Sequence, residues 1–209
     1  MTADEQGPTR LYLVRHGQTA ANVRMALDSL PPGPPLNEEG TQQARELAGS
    51  LAHDRVDAVY ASEALRAQQT AAPLAAQRGL DVRVVGGVQE VFVGDLEGRN
   101  DHDSIRRFLE VYTAWAHGDL DRPMPGGETA KQVLRRYTDA VHTITQRHRG
   151  GSVVLVSHGA VIRLVAPALA PNINPSLGEH AILPNTGRVV LDAHPDGWRC
   201  VEWTGVRLP

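Results

Sequence analysis

Two aliphatic runs that each stop at a histidine and a glycine constrain this chain more than anything else in it. Leu11-Tyr12-Leu13-Val14 ends in Arg15-His16-Gly17-Gln18-Thr19, and Val153-Val154-Leu155-Val156 ends in Ser157-His158-Gly159. Continuous aliphatic runs of this kind read as strands covered on both faces of a parallel sheet. Open α/β sheets bind ligands beyond the carboxyl ends of their strands. Both histidines are therefore expected to open onto one crevice, with at least one arginine beside them. Imidazole held among guanidinium groups suits an anionic, phosphorylated ligand.

The rest of the chain alternates strand and helix, so the class is α/β. Residues 1–9 read as a flexible N-terminal tail, and 10–209 as one unit. Pro31-Pro32-Gly33-Pro34-Pro35 can be neither helix nor central strand and reads as a rigid loop. From about Glu38, the spacing of Ala44, Leu47, Ala48 and Leu51 predicts one buried helix face. Asp57 to Ala61 is a second strand, and Ser62 is the expected N-cap of the helix that follows, through Gln77. Val82 to Val85 is a third strand. Between about 91 and 127, glycines and prolines break the pattern around one helix, from about Ser104 to His117, and the stretch reads as an insertion over the crevice. A helix from about Thr129 to Arg147 buries Val133, Tyr137, Ala140, Val141 and Ile144. A further helix starts near Ala160, and an antiparallel hairpin turns at Pro195-Asp196-Gly197.

At 209 residues and 41% hydrophobic, the chain can bury a sizeable core. A net charge of -3 argues against a nucleic-acid or membrane-surface binder. No apolar stretch reaches the ~20 residues that cross a bilayer, and the first ten residues hold no signal core. A cytoplasmic location is expected. One cysteine, Cys200, leaves no internal disulfide framework and no Cys-based zinc site. Lys131 is the only lysine beside a large set of arginines, so no arginine is informative by type alone. Position relative to a strand end has to carry the argument.

His16 can attack phosphorus only as the neutral ring, and neighbouring Arg15 favours that form because like charge lowers a histidine pKa. Arg15 can also hold phosphoryl oxygens with paired donors. Gly17 is expected to let the backbone approach the ligand. His158 repeats the arrangement, with the N–H groups from Gly159 onward at a helix start that favours an anion. Arg66 lies near the N-terminal end of its helix, where a cation is disfavoured unless an anion faces it. Glu90, after the third strand, can protonate a leaving oxygen, with Asp95, Glu97 and Asp101 as local competitors. Asp101-His102-Asp103 is too compact for a metal site and reads as a polar turn. Arg24 is the better-placed candidate for a distal anionic group. Arg99, His102, Arg106, Arg107, Trp115, His117 and Arg122 read mainly as the outer face of the insertion. The hairpin with Trp198 and Trp203 offers a surface on which a homodimer could form.

Taken in order, these residues resemble the histidine phosphatase superfamily, the group that includes cofactor-dependent phosphoglycerate mutase. The resemblance runs from Arg15-His16-Gly17-Gln18-Thr19 with Asn22, through Pro35-Leu36-Asn37-Glu38-Glu39-Gly40 and Ala61-Ser62 with Arg66. It continues through Glu90 with Gly94 and Glu97-Gly98, then Gly126-Gly127-Glu128-Thr129 and Val156-Ser157-His158-Gly159. It implies a three-layer α/β/α sandwich with a mostly parallel central sheet. It implies His16 as a nucleophile forming phosphohistidine, with Arg15, Arg66 and His158 around the phosphoryl group. Asn22 would be a further phosphate donor and Glu90 the acid/base. Gly17, Gln18, Thr19 and Gly159 would lie along the substrate. No metal or organic cofactor is implied.

Glu90 is followed by Val91-Phe92-Val93-Gly94 rather than the Arg/His-Tyr-Gly-type segment of glycolytic mutases, and the chain is short for such a mutase. The expected activity is hydrolysis of a small phosphorylated metabolite. Mutase-type phosphoryl transfer and a non-catalytic phospho-ligand-binding module are the competing readings.

Overall fold

The two histidine-terminated runs are neighbouring parallel strands. The structure is a computed structural model that describes residues 7–174 and 182–208. In chain order the elements are β1 (Arg10–Arg15), α1 (Ala20–Val23), α2 (Glu38–Ser50), β2 (Ala58–Ala61), α3 (Leu65–Arg78) and β3 (Val82–Val84). Then come α4 (His102–Ala116), α5 (Ala130–Gln146), β4 (Ser152–Ser157), α6 (Gly159–Leu169), β5 (Arg188–His194), β6 (Gly197–Trp203) and β7 (Val206–Arg207). They build one sheet of order β3-β2-β4-β1-β5-β6-β7.

β1 pairs with β4 in parallel, from Arg10 opposite Ser152 to Arg15 opposite Ser157. β2 joins the far side of β4, and β3 the far side of β2, also in parallel. Beyond β1 the sheet changes character, since β5, β6 and β7 all pair antiparallel. The sheet is thus parallel in its core and antiparallel along one flank. β7 is a short edge strand that the sequence pattern did not suggest.

Alternation along the strands makes two cores. Leu11, Leu13, Val153, Leu155, Val189 and Leu191 face the layer of α5 and α6, where Val133, Tyr137, Val141, Ile144, Val161, Ile162 and Val165 are buried. Tyr12, Val14, Val154, Val156 and Val190 face the other way, onto Leu47, Ala48 and Leu51 and onto Ala67, Ala71, Leu74 and Ala75 of α3. A strand buried on both faces has no polar position to offer, and this is why the runs read as unbroken aliphatics. The architecture is the three-layer α/β/α sandwich.

Several local expectations change. Ser62 is not the N-cap of α3: that position is Ala64, without a side-chain cap, and Leu65 N–H instead donates to Pro32 O at 2.8 Å. The proline-rich loop therefore satisfies the helix end from outside. Thr9, assigned to the tail, is tied down, since its carbonyl accepts from Ala193 N–H and its hydroxyl from Gly150 N–H, both at 2.8 Å. Residues 1–6 of that tail lie outside the described residues. Trp203 is buried in the core rather than displayed on the hairpin, and Trp198 is partly buried against that core. Trp203 therefore offers no docking surface. Asp101 accepts from Ser104 N–H and starts α4, so the Asp101-His102-Asp103 turn is a helix cap. Among the described residues, no helix is long and apolar enough to cross a membrane.

The loop after β1 is pressed onto the start of α2. A Cβ on Gly17 would lie 2.6 Å from Gly40 O, and one on Gly40 would lie 2.1 Å from Gln18 O. Gly40→Ala must push these backbones apart, and overpacking of this kind costs about 1–3 kcal/mol. The expected outcome is a lowered urea midpoint at unchanged slope.

Candidate active site

The parallel register of β1 and β4 sets His16 and His158 side by side, one residue past the paired Arg15 and Ser157. Their ring centroids are 5.2 Å apart with planes at 63°, close to the ~4.8 Å spacing of adjacent strands. Both rings are buried. His16 lines a cavity of about 230 Å³ together with Arg15, Asn22, Asp28, Arg66, Glu90, Gly159 and Arg163, while His158, fully buried, is not among the lining residues.

The tautomer of His16 follows from its contacts. Nδ1 lies 2.7 Å from Gly17 O, and a carbonyl only accepts, so Nδ1 carries the proton. Nε2 is left with its lone pair, and Arg66 Nε–H donates to it at 3.2 Å. The ring is held neutral, with its pKa pushed down to about 3. Burial is the main cause, followed by the Arg66 charge, with Arg15 a smaller contributor and the Gly17 hydrogen bond opposing. The neutral form was expected from Arg15 alone, and burial and Arg66 outweigh it.

His158 is fully buried, and its Nε2 lies 2.7 Å from Ser62 Oγ. Ser62 Oγ also accepts from Ala64 N–H at 3.3 Å. Ser62 Oγ and Nε2 share one hydrogen bond, in which the hydroxyl or the ring is the donor, and the other ring nitrogen is Nδ1. That Nδ1 is buried without a partner among the described residues. Burial first, then Arg66 and His16, drive the ring's pKa well down. Ser62, expected as a helix cap, instead orients the second histidine.

Arg66 is almost completely buried, so its charge needs partners. Its Nη2 donates to Asp28 O at 3.0 Å, and its Nη1 lies 3.1 Å from Asp28 Oδ2 without a hydrogen-bonding angle. Thr70 ties this turn of α3 to the first histidine loop, donating to Arg66 O and accepting from Gly17 N–H. Gly33 of the proline-rich loop lies against the guanidinium, since a Cβ there would stand 2.3 Å from Nη1. Burial raises the Asp28 pKa, Arg66 opposes this, and Glu97 and Glu90 add to the rise. Arg15 donates from Nη1 to Leu183 O at 2.7 Å, while its Nε is buried without a partner among the described residues. Burial works against its charge, Glu90 supports it, and Arg163 and Arg66 oppose it. Gly159 leaves room for Arg15, because a Cβ there would meet its Nε at 3.0 Å.

The Glu90 carboxylate accepts from Val91 N–H at 2.9 Å, Ala160 N–H at 3.1 Å and Val161 N–H at 2.8 Å. It therefore spans the start of α6, directly after His158 and Gly159. Neither Asp95 nor Glu97 lines the cavity. Glu97 instead holds Ser29, accepting from its N–H at 2.9 Å and from its hydroxyl. Asn22 lines the cavity, and its Oδ1 accepts from Thr19 N–H at 3.1 Å and Asn185 Nδ2 at 3.2 Å.

Some expected substrate contacts fall elsewhere. Gln18 is taken up by Gln43 and Asn37, and Thr19 caps α1. Neither is among the cavity-lining residues. Gly17 allows a close approach to Gly40 rather than opening the backbone to the cavity. Arg24, Arg99, His102, Arg106, Arg107, Trp115, His117 and Arg122 are not in the lining; from the insertion, Val91, Val93 and Phe108 are. The sequence reading missed Asp28, Asn185 and Arg163, and it noted Thr70 only as part of the family-like stretch Gln69-Thr70-Ala71, without a role. Asn185 also donates to His16 O at 3.0 Å. No local pattern marks Asp28, Asn185 or Arg163.

Residues 11–205 match the family model of the histidine phosphatase superfamily (branch 1), and the chain belongs to that superfamily. The PE-PGRS family protein PE_PGRS11 of Mycobacterium tuberculosis is 33% identical over 92% of the chain, which spans only 36% of that protein's length. The adenosylcobalamin/alpha-ribazole phosphatase of Escherichia coli K12 is 32% identical over 77% of this chain and 78% of its own. Among solved structures, a native mycobacterial glucosyl-3-phosphoglycerate phosphatase aligns with a TM-score of 0.79 at 27% identity, covering 94% of this chain and 99% of its own.

Two histidines held neutral in the fold but free to protonate in the unfolded chain make stability depend on pH. The unfolded state takes up the extra protons below about 6.5, so stability falls as pH drops toward 3. In His16→Gln, the slope of unfolding free energy between about pH 6 and pH 4 should shrink by about 1.4 kcal/mol per pH unit. Urea titrations across that range measure it.

Proposed function

We propose that this chain is a phosphomonoester hydrolase that acts on a small phosphorylated metabolite through a phosphohistidine on His16. The observation that carries the reading is the neutral His16 on the wall of the cavity, its Nε2 lone pair accepting from Arg66 Nε–H. The unpartnered Arg15 Nε and His158 Nδ1 lie buried beside it. A buried polar nitrogen without a partner is costly, and an oxyanion accepting from Arg15 Nε–H, and from His158 with its proton on Nδ1, removes that cost.

In the first step, His16 Nε2 attacks phosphorus in line with the ester oxygen. Arg66 gives up its hydrogen bond to Nε2 and turns its donors to the phosphoryl oxygens, with Arg15, His158 Nδ1–H and the Asn22 amide completing the shell. Glu90 in its acid form passes a proton to the departing alkoxide as the P–O bond breaks. In the second step, the Glu90 carboxylate removes a proton from water, whose oxygen attacks the phosphohistidine. The P–N bond breaks, inorganic phosphate leaves and neutral His16 is restored. Hydrolase chemistry is favoured over mutase chemistry because Val91 and Val93 line the cavity where glycolytic mutases carry an Arg/His-Tyr-Gly-type segment after the glutamate.

Trapping during turnover should yield a phosphoenzyme that is acid-labile and alkali-stable, and that is missing from His16→Ala. A label that survives in that variant places the nucleophile elsewhere. With a phosphoglycerate and a bisphosphate primer, free phosphate should exceed isomerised product. Glu90→Gln should lose about 10²- to 10⁴-fold in kcat on alkyl phosphates, and much less on aryl phosphates whose leaving groups need no proton. Equal losses on the two ester classes would remove Glu90 from the proton-donor role.

A further inference from the structure

We propose that Arg136, clamped by Glu128, is the positioning residue that sets the height of Glu90 over the phosphoryl site. This rests on the hydrolase reading above, in which Glu90 is the acid/base.

Arg136, on α5, uses every donor it has. A guanidinium carries five N–H groups in a fixed planar fork. Nε donates to Glu128 Oε1 at 2.7 Å and Nη2 to Glu128 Oε2 at 2.9 Å. The other three go to backbone carbonyls of one short segment: Nη1 to Gly87 O and Gln89 O, and Nη2 to Glu90 O, each at 2.9 Å. Glu128 completes the clamp, because its Oε2 accepts from Phe92 N–H at 2.9 Å and its own N–H donates to Phe92 O at 3.0 Å.

The clamped segment needs outside support. It follows the end of β3 and belongs to no helix or strand, so its carbonyls have no ladder partners of their own. Gly87, at φ +85°, lies against α5, where a Cβ would stand 2.8 Å from Arg136 O. One guanidinium thus fixes the backbone on the near side of Glu90, and one carboxylate fixes it on the far side. From this fixed backbone the Glu90 side chain reaches the N–H groups of Ala160 and Val161 at the start of α6. Proton transfer to a leaving oxygen is acutely sensitive to such placement, with a displacement of about 1 Å costing on the order of 10²-fold.

A clamp serving only to fasten α5 to the loop would affect stability and leave the chemistry alone. The two roles separate by leaving group. Arg136→Lys keeps the charge but cannot reproduce the five-donor fork. Its kcat on an alkyl phosphate such as glycerol phosphate should fall about tenfold or more, while kcat on para-nitrophenyl phosphate falls less than about threefold. Binding of inorganic phosphate, which reads Arg15, Arg66 and His158, should stay within about twofold of wild type. Combining Arg136→Lys with Glu90→Gln should add little to the loss from Glu90→Gln alone.

Glu128→Gln, which retains an acceptor for Phe92, serves if Arg136→Lys does not fold, and should shift the leaving-group dependence in the same direction by a smaller factor. Equal losses on both esters, full additivity with Glu90→Gln, or unchanged leaving-group dependence in a folded variant overturns the proposal. A wild-type protein that hydrolyses neither ester overturns the hydrolase reading itself. A wild type that is active, with Glu90→Gln behaving as an acid/base variant and the clamp variants unaffected, overturns the clamp alone.

Discussion

The site depends on the in-register parallel pairing of β1 with β4. Because Arg15 lies opposite Ser157, the next residue on each strand is a histidine, and the two rings come to 5.2 Å without any help from loop geometry. A shift of one residue would turn one ring to the other face of the sheet. The register is protected by what lies behind it, since Leu11, Leu13, Val153 and Leu155 are committed to one core and Tyr12, Val14, Val154 and Val156 to the other. The placement of the two histidines and the hydrophobic packing are thus enforced by the same hydrogen-bond ladder.

Around this ladder, charge is managed by burial. Arg15, Arg66, His16 and His158 crowd one end of the sheet, and water is kept from most of them. In that setting the imidazoles give up their protons and the guanidiniums do not, because a guanidinium holds its proton far more tightly. The outcome is a pair of neutral rings among fixed cations, the combination that attack on a phosphate dianion requires. Gly17 O completes the assignment for His16 by accepting from Nδ1–H, and Ser62 holds the His158 ring through Nε2.

The legible parts of the sequence were those whose chemistry is local. A strand that ends in His-Gly carries its meaning within a few residues, so both histidines, Arg15 and the α/β class could be read directly. Glu90 was legible mainly through family resemblance, because nothing near it distinguishes it from Asp95 or Glu97. Ser62 was misread because a serine between a strand and a helix looks the same whether it caps the helix or reaches sideways to a neighbouring strand. Gly17 carries a similar ambiguity: a glycine reports close approach without saying to what, and here a neighbour is Gly40. Asp28, Asn185 and Arg136 were invisible because they act on distant partners, Arg136 largely through backbone carbonyls, which leave no trace in side-chain patterns.

Asp28 has a consequence for the end of the catalytic cycle. Its carboxylate, 3.1 Å from Arg66 Nη1, is tethered to the protein at an effective concentration that no dissolved anion matches. In the proposed mechanism, when inorganic phosphate departs, the guanidinium is not stranded as a bare cation in a poorly hydrated pocket, a state that would otherwise oppose release. On that mechanism the protein carries its own understudy for the product, and so resists being clogged by what it makes.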